Sequence, residues 1–96
     1  MKSLVFLRRV VGNSMLPMLR PGQIIVASTN FKTLRPGMVV VLRKNNRELI
    51  KRIERIEGNK VFVIGDNPSG STDSRQFGWL DIGTVVARVI RPKLTK

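Results

Sequence analysis

Short valine- and isoleucine-rich runs, cut by proline or glycine at intervals of roughly ten residues, constrain the fold of this chain more than any other feature. Arg20-Pro21-Gly22 precedes one such run, Gln23–Ala27, and the similar Arg35-Pro36-Gly37 precedes another, Met38–Leu42. Leu4–Val11, Val61–Ile64 and Thr84–Ile90 read as further strands, and Asn67–Gly70 as a turn cluster. Arg47–Glu57 fits two descriptions: Leu49, Ile50, Ile53 and Ile56 have helical spacing, whereas Leu49, Lys51 and Ile53 share one face of a strand. The strand is preferred, because Gly58-Asn59 then turns a hairpin into Val61–Ile64. The expectation is an all-β fold, a small barrel or sandwich, with residues 1–96 forming one domain. The 42% hydrophobic content is enough for a core and excludes compositional disorder.

Missing residue types narrow the chemistry. The chain has no cysteine and no histidine, which removes disulfides, a thiol nucleophile, a Ser-His-Asp triad and a histidine-based zinc site. A nucleophilic serine would then need a lysine, a carboxylate or the terminal amine as its base. Ser14 is the candidate nucleophile. It follows the Leu4–Val11 strand on a short turn, Gly12-Asn13-Ser14-Met15-Leu16-Pro17, which holds a side chain rigidly at a corner. The plainer reading of Ser14 is a turn serine. Lys51 is the candidate base: if its strand face points inward, loss of hydration lowers the pKa of its ammonium and a neutral amine can accept a proton. The plainer reading of Lys51 is an edge lysine whose amine reaches water.

A third segment, Gly65-Asp66-Asn67-Pro68-Ser69-Gly70-Ser71-Thr72-Asp73-Ser74-Arg75, concentrates turn formers, carboxylates and serines, with Gly78 shortly after. Asp73 and Arg75 are placed to pair and pin this loop. The spacing of Asp66 and Asp73 fits no calcium loop.

In this order the three segments resemble the boxes of type I signal peptidases. Ser14-Met15-Leu16-Pro17 with Pro21-Gly22 is similar to the serine box, Lys51-Arg52-Ile53 to the lysine box, and Gly65-Asp66-Asn67 with Ser71-Thr72-Asp73-Ser74-Arg75 and Gly78 to the last box. The resemblance is greatest to short members, such as the maturation peptidase of nickel superoxide dismutase. It implies a β-rich serine endopeptidase with a Ser-Lys dyad that removes a leader or propeptide from a precursor protein, with no metal and no cofactor. Carried over by position, Ser14 is the nucleophile and Lys51 the general base. Ser71 orients the lysine, Asp73 and Arg75 form a structural ion pair beside the site, and Met15 and Pro17 line the substrate cleft, a place in the core being the equal alternative for Met15. The Ser14 N–H would serve a developing oxyanion. Gly12 stands where some members carry a second, hydroxyl donor, and Gln23, Met38 and Met18 depart from the family's usual residues.

Eighteen lysines and arginines against six aspartates and glutamates give a formal charge of +12, which favours an anionic partner. The N-terminal apolar run, Leu4–Leu7, is too short for a span or a signal peptide. The expected location is the cytoplasm or the periphery of an anionic membrane, with no transmembrane anchor and no large second domain. A competing reading is a small basic β-barrel that binds nucleic acid. Only five aromatic residues are available for stacking, some of them needed in the core, and such a module leaves the three boxes unexplained. Autocleaving repressors share the Ser-Lys chemistry but usually carry a DNA-binding domain, for which 96 residues leave no room.

Overall fold

The computed structural model of the chain describes residues 4–94. Its strands are β1 (Val5–Arg9), β2 (Ile24–Ser28), β3 (Val39–Lys44), β4 (Arg47–Glu57), β5 (Lys60–Ile64), β6 (Leu80–Asp81) and β7 (Val85–Arg91). A short helix, α1 (Ser74–Phe77), and two 3₁₀ turns complete the chain. The all-β expectation holds. All seven strands join one antiparallel sheet in the order β1-β2-β7-β3-β4-β5-β6, instead of the two sheets of a sandwich, because β7 inserts between β2 and β3.

The sheet is covered on both faces at its centre, and β3 shows why. Val39, Val40, Val41 and Leu42 form an unbroken apolar run, the pattern of a strand buried on two sides. Val39 and Val41 enter one cluster, with Met15, Leu19, Ile25 and Ala87. Val40 and Leu42 enter the other, with Ile53, Val61, Val63 and Val85. Irregular pairings at Val26/Ala27, Val41/Leu42 and Ile53/Arg55 bend the sheet, as β-bulges do.

Arg47–Glu57 is a strand throughout. Two tight turns set its register. Asn45 and Asn46 both take positive φ, 52° and 65°, and so form the two-residue turn that matches the twist of a hairpin. Gly58-Asn59 makes a second two-residue turn, with positive φ at Gly58 alone, 55°, and Glu57 paired to Lys60. Along β4 both Lys51 and Arg52 are buried, although alternation sends them to opposite faces. Arg52 forms a bidentate ion pair with Asp66, 2.8 Å at both contacts, and donates to the carbonyls of Gly37 and Leu94 at 2.7 and 2.6 Å. One buried guanidinium thus ties the Arg35-Pro36-Gly37 turn, the last box and the end of the described chain together. Among the described residues, no helix is long and apolar enough to cross a membrane.

Candidate active site

Ser14 sits in a loop closed at its base by backbone hydrogen bonds: Val10 N–H donates to Gln23 O at 2.8 Å and Gly22 N–H to Val10 O at 2.7 Å. Met15 and Leu19, 1% and 0% exposed, anchor the loop in the core and leave Ser14 at the rim. The last box grips the loop from the other side. Asn67 N–H donates to the Ser14 carbonyl at 2.9 Å, and the Asn67 side-chain amide donates to the Asn13 carbonyl at 3.0 Å. Among the described residues the Ser14 N–H has no acceptor, so it is free to face a ligand.

Ser14 and Lys51 line the same cleft, of about 380 Å³, together with residues of the β3–β4 hairpin and of the last box. Lys51, 4% exposed, donates from Nζ to Ser71 Oγ at 3.2 Å, and no hydrogen bond joins it to Ser14. Catalytic contacts of this kind often tighten only when substrate is bound. Ser71 Oγ in turn donates to Asp73 Oδ2 at 2.6 Å. Its one proton is therefore committed, and toward Lys51 it acts only as an acceptor. Burial pushes the Lys51 amine below the ordinary lysine value; the negative charge of Asp73 opposes that shift and the positive charge of Arg75 reinforces it.

Asp73 is fully buried, and it is satisfied on every side. Arg75 donates to it from Nε at 2.9 Å and Nη2 at 2.6 Å, and Gly65 N–H donates at 2.8 Å. Burial alone would raise its pKa. The Arg75 contact, the Gly65 N–H and the Ser71 hydroxyl outweigh burial and hold the carboxyl well below the usual range. Asp73 also caps α1: its side chain accepts the Arg75 N–H at 3.1 Å, while Gln76 accepts the Asp73 N–H at 2.8 Å. Asp66 and Asp73 are each held by an arginine, which leaves neither free for a metal.

Of the two residues assigned to the cleft, Met15 takes its alternative place: it packs in the core with Val10, Leu19 and Ile25, because the turn that presents Ser14 sends the next side chain inward. Pro17 is exposed and borders a separate groove with Met18, Arg20 and Gln23. Asn67 and the Arg52–Asp66 pair were not foreseen as positioning groups. The Asp73-x-x-Gln76 spacing was a readable sign of a capped helix.

Gly65 is required by space. A Cβ there would collide with Ser71 Oγ and would lie 2.5 Å from the Ser14 carbonyl oxygen. Gly65→Ala is expected to part the serine loop from Ser71 and to destabilise the fold by about 1–3 kcal/mol, the cost of overpacking a tight site. Thermal melting of the variant checks this, and an unchanged Tm would count against it.

An all-β sheet presenting a serine and a buried lysine in one cleft defines a serine-peptidase-like class of protein. The chain belongs to the Peptidase S24-like family, whose model it matches over residues 1–89. The resemblance to signal peptidases read from the three boxes is supported at this family level. No curated protein matches the chain.

Proposed function

We propose that the protein is a serine endopeptidase that cuts a leader or propeptide from a precursor, with Ser14 as nucleophile and Lys51 as general base. The observation that carries the proposal is the relay Lys51–Ser71–Asp73, built at the wall of the cleft that Ser14 also lines. Because Ser71 only accepts from Lys51, it holds one N–H of the amine and leaves the lone pair of neutral Lys51 free for another partner. Substrate entering as an added β-strand brings its scissile carbonyl to Ser14. Lys51 Nζ takes the hydroxyl proton as the Oγ–C bond forms, and the Ser14 N–H faces the oxyanion. Lys51 then gives that proton to the leaving amine as the C–N bond breaks. A water deprotonated by Lys51 hydrolyses the resulting ester and restores Ser14. The family includes repressors as well as peptidases; the intact relay favours a catalytic member over a non-catalytic repressor.

Because Lys51 must be neutral to act, and its pKa is lowered in the fold, kcat/KM is expected to rise with pH. The rise should have its midpoint below the ordinary lysine value of 10.5. A pH–rate profile measures this, and a rate independent of pH, or one falling with it, contradicts the assignment.

Mass spectrometry of candidate precursors incubated with the protein tests the proposal. The short signal-peptidase-like members suggest the first substrate, the pro-form of a nickel superoxide dismutase. Two fragments whose masses sum to precursor plus one water are expected, with small side chains one and three residues before the cut. Equal cleavage by Ser14→Ala, or none by the parent, would overturn the reading.

A further inference from the structure

We infer that the peptide taken by this cleft carries an acidic side chain near its scissile bond, seated against Lys44 and Arg47; the inference rests on the peptidase reading. Both residues line the cleft with Ser14 and Lys51, and no carboxylate among the described residues does so. They are direct Cα partners across the tip of the β3–β4 hairpin. Strand alternation puts Arg47 on the same face as Leu49 and Lys51.

Among the described residues no carboxylate neutralises these two charges. Five of the six carboxylates are consumed by Arg8, Arg43, Arg52, Arg55, Lys60 and Arg75. The neighbouring Arg43 lies 3.4 Å from Glu48, whereas neither Lys44 nor Arg47 meets a carboxylate among the described residues. Lys44 Nζ is held 4.7 Å from the centre of the Phe77 ring, which fixes its place on the cleft wall. The one carboxylate behind the site, Asp73, is committed to Arg75, Ser71 and Gly65. The cleft therefore offers cations without counter-charge, and the complement is an anionic peptide.

Register gives the position. Arg47 lies four residues from Lys51 along β4, about 13 Å at the rise of an extended strand. A substrate running as an adjacent strand would bring a side chain three to five residues from the cut beside Lys44 and Arg47. Partly exposed pairs of this strength correspond to a preference of roughly 2- to 5-fold in kcat/KM for Asp or Glu over a neutral residue there.

The test is cleavage of a proteome-derived chymotryptic peptide library, which keeps acidic and basic residues inside its peptides. New termini are mapped by mass spectrometry, and only those absent with Ser14→Ala are counted. The expected result is enrichment of Asp and Glu three to five residues from the cut, weakening as salt is raised. In the double variant Lys44→Glu/Arg47→Glu the enrichment should pass to Lys and Arg while cleavage continues. Ser14-dependent cuts with no acidic enrichment would overturn the inference and leave the peptidase reading standing. A preference unchanged by the charge reversal would do the same. Absence of any Ser14-dependent cut would overturn both.

Discussion

If Ser14 and Lys51 act as proposed, Ser14→Ala and Lys51→Met are each expected to lower kcat by about 10⁴-fold or more while leaving the protein folded, because residues that act as one catalytic unit lose nearly everything when either is removed. Ser14 is a rim residue whose backbone contacts, not its hydroxyl, hold the loop: its carbonyl accepts the Asn67 N–H at 2.9 Å. Alanine keeps those contacts. Methionine keeps the apolar stem of Lys51 and removes only the desolvated amine. The sign of the stability change follows from the lowered folded-state pKa of Lys51. Below that pKa the ionised amine carries a burial penalty in the fold, relieved only as pH rises toward the unfolded-state value. Lys51→Met is therefore expected to melt no lower than the parent at neutral pH. Lys51→Arg is expected to be inactive as well, since arginine stays protonated. Turnover assays and melting curves on the same preparations read both effects, and full activity in Lys51→Arg would remove Lys51 from the mechanism.

The second large effect is on stability. Asp73→Ala deletes an acceptor that is fully buried and receives five hydrogen bonds, from Gly65 N–H, Ser71 Oγ and the Arg75 N–H, Nε and Nη2. Breaking a buried charged pair costs about 3–5 kcal/mol. In a domain of this size that lowers Tm by roughly 12 °C or more. Arg75→Ala leaves the buried carboxylate without its cation and should fall in the same range. The folded-state pKa of Asp73 is lowered, so its contribution is complete above the unfolded carboxylate value, about 3.9. It is lost only as pH falls through the lower folded value. The Tm gap between parent and Asp73→Ala should therefore persist at neutral pH and narrow in strong acid. If Asp73→Ala melted like the parent and still lost activity, the structural role assigned to Asp73 would be wrong.

These effects were unevenly legible in the residues. The strands were readable because proline and glycine bound each valine-rich run, and Gly58-Asn59 marked the hairpin that resolved Arg47–Glu57 as a strand. Lys51 was readable as inward-facing because it alternates with Leu49 and Ile53. Arg52 was not: alternation sends it to the opposite face, and only the apolar cluster of Met15, Leu19 and Ile25 and the Asp66 contact make that face an interior too. Helix α1 was missed because four residues carry no periodicity, although its cap was spelled out by Asp73 and Gln76. For Met15 the resemblance left cleft and core both open, and the tight turn that sends its side chain inward decides for the core. Asn67 lies 53 residues from Ser14, and no local pattern announces the hydrogen bond between them.

The central claim is that Ser14 attacks an acyl carbon with neutral Lys51 as its base. The most direct measurement is acid-quenched intact mass of the protein after mixing with an activated peptide ester of small side chains, with the adduct located by peptide mapping. The account predicts one acyl group on Ser14, forming faster as pH rises, and none in Ser14→Ala or Lys51→Met. An acyl group borne elsewhere with Ser14 unmodified, or one formed on Ser14 equally fast in Lys51→Met, would contradict it.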